Sequence, residues 1–329
     1  MSAYAALRAE VESQGLYARA YSFYTLYLLL VLCGTGLSLY IITLSDSALI
    51  QAANAIFFTF VITQAGMLGH DFSHGQVLRS ERLNRLCSMF LWGLFGGLSE
   101  SAWFKQHDTH HTYVNQIGKD PDIDIPFLFS REQRVVNFPI SLSKMIRYQH
   151  LIFFISLPLW YVTKLITSWQ KALSDFRGRQ AAELLLSLVH FAILFFFLVV
   201  YLPWYIGLLF LSVHALAVGL YLSFIFAPNH KGEEIIRADT EVTWREQISS
   251  TRNIRPSVVS FILLGGLNFQ IEHHLFTSMP RINYWKAHPL IERFCSANGL
   301  PYHETTWAES QKEIYIALRQ VARSFVRLA

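Results

Sequence analysis

Three short windows hold most of the chemistry this sequence could do: His70-Asp71-Phe72-Ser73-His74, His107-Asp108-Thr109-His110-His111 and Gln270-Ile271-Glu272-His273-His274. They contain seven of the 13 histidines, where even placement would put about 0.6. On a helix, residues three and four apart share a face. His70 and His74 can therefore aim at one point. His107, His110 and His111 can do the same, with two reaching one metal and one a second. His273 and His274 point in adjacent directions, which suits two different metals. Imidazole is a ligand for iron, zinc, copper or nickel. The sequence has no HExxH, no ExxH and no GxSxG, which argues against a zincin protease, a carboxylate-rich di-iron bundle and a serine hydrolase. Cys33, Cys87 and Cys295 form no CxxC, so neither a thiolate metal site nor a disulfide framework is expected.

Such windows need elements that bring them together. Four apolar stretches, 22–44, 48–68, 184–202 and 204–226, are each near the roughly 20 residues that cross a bilayer as a helix. They pair into two hairpins, turned at Ser45-Asp46-Ser47 and at Pro203. Lys and Arg test this pattern. Residues 1–21 hold two of them, residues 69–183 hold 13 and residues 227–329 hold 12, so neither hairpin tip has any. The positive-inside rule then places both termini and the middle loop in the cytoplasm. His70 follows the second stretch and His230 the fourth, so both are expected at the same interface. Residues 86–99 are too short to span, and 151–168 are interrupted by Lys164. Both are expected at the membrane surface, and the short apolar run 256–267 is expected to pack against it.

The expected architecture is an all-α integral membrane protein. Four transmembrane helices in two hairpins carry a helical cytoplasmic cap formed by residues 69–183 and 227–329, and residues 1–329 make one domain. Composition agrees: 53% hydrophobic, 15% charged and a mean hydropathy of +0.31 exclude disorder and disfavour a purely soluble enzyme. A net charge of +4 is too mild to argue for nucleic acid. No cleavable signal is expected near the start and no retention or prenylation signal at the end. Isolated histidines, namely His150, His190, His214, His288 and His303, read as ordinary hydrogen-bonded groups.

At this point the residues resemble a known family, the membrane fatty acid desaturases. The likeness covers most of the chain. It rests on the three windows, on Thr112-Tyr113-Val114-Asn115 and Gly118-Lys119-Asp120-Pro121-Asp122 after the second, and on Gly265-Gly266-Leu267-Asn268-Phe269 before the third. Gln270, standing where the family's third window more often starts with histidine, is similar to the front-end type, which acts between an existing double bond and the carboxyl end. Ser73 and Thr277 depart from the residues common at their positions.

The resemblance implies two iron ions, cycling between Fe2+ and Fe3+, held by His70, His74, His107, His110, His111, His273 and His274, with His230 as an eighth ligand. Gln270 and Asn229 would sit around the metals or hold water rather than ligate. Asp71, Asp108 and Glu272 are open between orienting imidazoles and lying on solvated helix surface. Asp120, Asp122 and Asp124 would form a turn over the site. Trp92, Phe95, Trp103 and Phe104 are a candidate wall for an acyl chain. The implied reaction uses dioxygen and two electrons to place a cis double bond in an acyl-lipid or acyl thioester. No HPGG haem motif occurs, so electrons are expected from a separate ferredoxin or cytochrome b5 type donor. Hydroxylation, acetylenation or carotenoid oxygenation on the same scaffold are the near alternatives. A non-enzymatic metal transporter is the distant one.

Overall fold

The structure, a computed structural model, describes residues 2–123, 146–174 and 176–328. It is helical almost throughout. Five helices are long and apolar enough to cross a membrane by length and composition: Tyr21–Leu44, Ala48–Ser73, Gln149–Ser174, Gly178–Tyr201 and Trp204–His230. The chain is thus an all-α membrane protein. The third of these includes the segment 151–168 expected at the surface. Gln149–Ser156 runs through a 3-10 turn at Leu157–Leu159, where Pro158 lacks an amide donor, into Trp160–Ser174. Lys164 does not break it, because its ammonium lies over the Trp160 ring, 5.2 Å from the centroid.

The described chain separates into two compact units, each assembled from distant segments. The first comprises Ala18–Phe104 and Pro158–Ser223. In it helices α1 (Tyr21–Leu44) and α2 (Ala48–Ser73) form a hairpin, and Val31, Val61, Ala65 and Leu68 lie between them. Polar groups within the apolar helices are satisfied internally: Asn54 donates to the Ser38 carbonyl, and Thr59 pairs with His214 Nδ1 at 2.9 Å. Helix α2 continues past its apolar run through His70 to Ser73, whose hydroxyl donates back to the Gly69 carbonyl. Gly69 admits the Trp92 indole; a Cβ there would stand 2.9 Å from Trp92 Nε1. Residues 86–99 form the end of helix Glu81–Phe90 and a π-helical turn, Leu91–Phe95, with Gly97 at φ +65°.

The second unit comprises Met1–Tyr17, Lys105–Leu157 and Phe224–Ala329. Its core joins Leu7 and Val11 of the N-terminal helix Ala3–Ser13 to Tyr284, Ala287 and Ile291 of helix Tyr284–Ala297, and to Phe269, Ile271 and Leu275 around helix Gln270–Leu275. The Tyr4 ring stacks against Trp244 and Phe276, and its hydroxyl donates to the Leu275 carbonyl. A two-residue parallel pairing, Asn253–Ile254 with Glu304–Thr305, ties the segments together. Pro228 near the end of helix Trp204–His230 leaves the Phe224 carbonyl without its helical donor; Trp307 Nε1 takes that place at 3.3 Å.

Candidate metal centre

Helix Glu100–Thr112 supplies the second histidine window, helix Gln270–Leu275 the third, and the last turn of Trp204–His230 supplies His230. Six imidazoles of the second unit meet here in two groups. His110, His230 and His274 each offer one nitrogen within 4.8 Å of the others, and His110 Nε2 and His230 Nε2 are 3.3 Å apart. His111 Nε2 lies 3.0 Å from His107 Nε2 and 3.1 Å from His273 Nε2. The rings of His111 and His274 are stacked at 4.2 Å where the groups adjoin. The second window therefore divides, with His107 and His111 in one group and His110 in the other. His273 and His274 divide likewise.

The outer nitrogens explain the inward ones. His110 Nδ1 donates to Asp120 at 2.9 Å and His230 Nδ1 to the Ser250 carbonyl at 3.2 Å. A carboxylate and a carbonyl can only accept, so Nδ1 carries the proton and Nε2 the lone pair. Gln247 does the same for His274. Its Nε2 donates to the His111 carbonyl at 2.6 Å, so its Oε1 faces His274 Nδ1 at 2.7 Å. Tyr284 stands 3.1 Å from His273 Nδ1. His274 Nε2 is buried and has no hydrogen-bond partner.

This donor set fits a first-row metal ion, iron among them. First-row metals sit about 2.0–2.1 Å from imidazole nitrogen, so ligands at right angles stand roughly 3 Å apart, close to the observed separations. Metals require neutral imidazole. Burial, then the neighbouring His111, His230 and His110 rings, hold the His274 pKa well below its ordinary value. At His110 burial pushes down, but the Asp120 carboxylate outweighs it and the pKa is raised. A carboxylate behind a ligating imidazole also strengthens its donor nitrogen.

In the first unit His70 and His74 offer nitrogens within 4.8 Å of each other, one helical turn apart. Asp71 Oδ1 is 3.5 Å from His70 Nδ1, at the outer limit of a hydrogen bond. Trp103 stacks on Trp92 at 4.5 Å and meets the His70 ring edge-on at 5.7 Å; Phe104 is 6.3 Å from His74.

Other expected residues fall as follows. Gln270 Nε2 is 2.9 Å from His230 Nε2, and its oxygen accepts from Asn229 Nδ2 at 3.0 Å. Asp108 lies on the exposed face of its helix. Glu272 is buried but faces away from the imidazole groups, accepting from Asn253 and Tyr302 and lying 3.3 Å from His288 Nδ1. Asp120 underpins His110, Asp122 accepts from Gln106 at 2.6 Å, and Asp124 lies outside the described residues.

Sequence reasoning missed Gln247, Tyr284 and Arg252, and named Asn115 without giving it a role. Asn115, at φ +49°, donates its backbone N–H to Asp120 at 2.7 Å and its side-chain NH2 to the carbonyls of His230, Glu234 and Ser250. Arg252 is fully buried. Its guanidinium donates to the Pro228 and Lys231 carbonyls on either side of His230, and its backbone N–H to Asn229. Arg245 and Arg255, of the same residue type and nearby in sequence but exposed, give no hint of which cation would be buried.

A chain with membrane-length apolar helices, clustered imidazoles and acceptors behind them has the side chains of a metal-binding membrane protein. Residues 47–306 match the model of one family, described as fatty acid desaturase, and the chain belongs to that family. It is 32% identical over 252 residues to the Delta(5) fatty acid desaturase fat-4 of Caenorhabditis elegans, covering 73% of this chain and 56% of the worm protein. It is 29% identical over 329 residues to the acyl-lipid (9-3)-desaturase of Physcomitrium patens, 97% of this chain and 62% of the moss protein. Fatty acid desaturase 3 of Bos taurus is 30% identical over 328 residues, 96% of this chain and 72% of the bovine one. The chain thus spans 56% and 62% of the worm and moss relatives.

Proposed function

We propose that the chain is a membrane-bound fatty acyl desaturase of front-end type, using dioxygen and two electrons at a di-iron centre. One CH2–CH2 unit of an acyl-lipid or acyl thioester becomes a cis CH=CH. Dioxygen takes the two hydrogens together with two electrons and two protons and leaves as two waters. The observation that carries this reading is the meeting of six imidazoles in two adjoining groups, in one of which Asp120, Gln247 and the Ser250 carbonyl stand behind the rings and turn their lone pairs inward.

The iron ligands in this reading are His107, His110, His111, His230, His273 and His274, with His70 and His74 assigned from their sequence window. When bound, iron and dioxygen supply the one-electron oxidant that an unactivated C–H bond requires. The protein does the rest. Asp120, Gln247 and the Ser250 carbonyl keep Nε2 of three imidazoles unprotonated. Gln270 and Asn229 surround His230 and hold water rather than iron. Burial of His110, His273 and His274 keeps bulk water away. Electrons come from a separate ferredoxin or cytochrome b5 type carrier.

For topology, the reading keeps four crossings, with both termini and the metal centre in the cytoplasm. Gln149–Ser174 then lies along the interface, because a single extra crossing would divide the basic residues between the two sides. Helix Val258–Leu263 would rest on lipid; Val258 and Val259 are 68% and 65% exposed. The two units together make one domain, since neither is contiguous in sequence.

Expression in a host lacking polyunsaturated lipids, followed by mass analysis of derivatised fatty acids, tests the reading. A product lighter by two hydrogens supports it. A product heavier by one oxygen, or none with iron and reductant present, overturns it.

A further inference from the structure

Two of the three imidazoles in the His110 group take their orientation from one short element. Helix Trp244–Ser249 is set by a capping box in which Thr243 and Glu246 satisfy each other's N-terminal groups. Gln247 on this helix and Ser250 just after it are three residues apart, hence on one face. Gln247 reaches His274 through its side chain, and Ser250 reaches His230 through its carbonyl. The Gln247 amide also spans the two histidine windows, because its NH2 is committed to the His111 carbonyl. That commitment decides the tautomer of His274. With Oε1 facing it, Nδ1 must donate, and the lone pair is left on Nε2, the buried atom with no partner.

We propose that Gln247 is a positioning residue for the metal centre: by fixing the His274 tautomer and ring plane it makes Nε2 of His274 a ligand for one of the two metals. This rests on the di-iron reading above. A His274 free to flip would present Nε2–H to the metal in part of its population, and that proton would have to leave before binding.

The test uses the purified full chain, its iron content, and the rate of iron loss to excess chelator. Gln247→Met is close in shape but neither donates nor accepts. Its iron is expected to leave about 10–100-fold faster than in the wild type, with the faster phase covering about half of the metal when one of two sites is affected. Gln247→Glu keeps an acceptor facing Nδ1 and is expected to release iron within about threefold of the wild type. Should Gln247→Met not accumulate, Gln247→Asn, one methylene too short to reach, takes its place with the same expectation. Equal release by the wild type and the Met or Asn variant overturns the inference while leaving the di-iron reading intact. So does equally fast release by the Glu and Met variants, since the bond to His111 would then be what matters. A wild-type chain that takes up no iron defeats the functional reading and this inference together.

Discussion

Two clusters of the second unit combine metal-ligating side chains, and they are built in opposite ways. His110, His230 and His274 form one, with no cation among them and acceptors behind. Glu233, His303 and Glu313 form the other, with ligand atoms equally close. Into the second reaches the buried Arg252 guanidinium, 2.9 Å from Glu233 and paired also with Glu313. His303 Nδ1 lies 3.0 Å from Glu233. Hydrogen bonding to Glu233, working against burial, raises its pKa above the ordinary value. Two carboxylates there meet a guanidinium and an imidazole whose protonated form Glu233 favours, so a built-in cation already stands where a metal would. In the histidine cluster His274 is held neutral and its lone pair has no internal partner. Spacing alone does not separate a metal site from an ion-pair node; the presence of a built-in cation does.

The largest effect that could break this contrast is loss of a ligand. His107→Ala or His274→Ala is expected to abolish turnover while membrane insertion persists, measured as unsaturated product per inserted chain. Normal product from either variant would remove the imidazole groups from the chemistry. Next comes the ion-pair node. Arg252→Met leaves two carboxylates facing each other and frees the carbonyls around His230, an expected loss of about 3–5 kcal/mol in denaturant unfolding. If added divalent cation restored that stability, the node would be a metal site after all. Smaller is Asp120→Asn, which weakens the acceptor behind His110; iron affinity is expected to fall about tenfold in competition with a chelator of known strength.

The smallest effect concerns the proton on His303. Its folded pKa lies above the unfolded value of about 6.5, so its contribution is complete below that pH and is lost as pH rises through the folded value. The stability difference between the wild type and His303→Gln should therefore shrink as pH rises from about 6.5. A difference that grows with pH would show His303 to be a neutral ligand-like imidazole, and the contrast between the clusters would disappear.

Much of the site was legible because ligands recur with helical spacing. His70 and His74, or His107 and His111, declare a shared helix face before any fold is known. The apolar hairpins were legible for a similar reason, since a bilayer demands length and composition over about 20 residues. The segment 151–168 shows the limit. Lys164 weighed against a long helix, yet its ammonium is accommodated over the Trp160 ring, and the helical run extends to Gln149–Ser174. The helix that holds the 48–68 stretch runs on to Ser73, carrying His70 beyond the apolar residues, since helix persistence depends on local hydrogen bonds such as Ser73 to Gly69 as well as hydropathy.

The groups behind the ligands were another matter. Glu272 adjoins His273 in sequence yet is committed to Asn253 and Tyr302, whereas Gln247, in an unremarked polar stretch, faces His274. The sequence by itself determined which residue types could bind metal, that they would come in groups on helix faces, and that apolar helices would accompany them. Only the tertiary structure decided how those groups divide, which nitrogen of His110, His230 and His274 carries the proton, and that Arg252 is buried. The reason is range. Ligand spacing and hydropathy are written along a single helix, but tautomer and charge balance depend on an acceptor or cation brought from a segment remote in the chain.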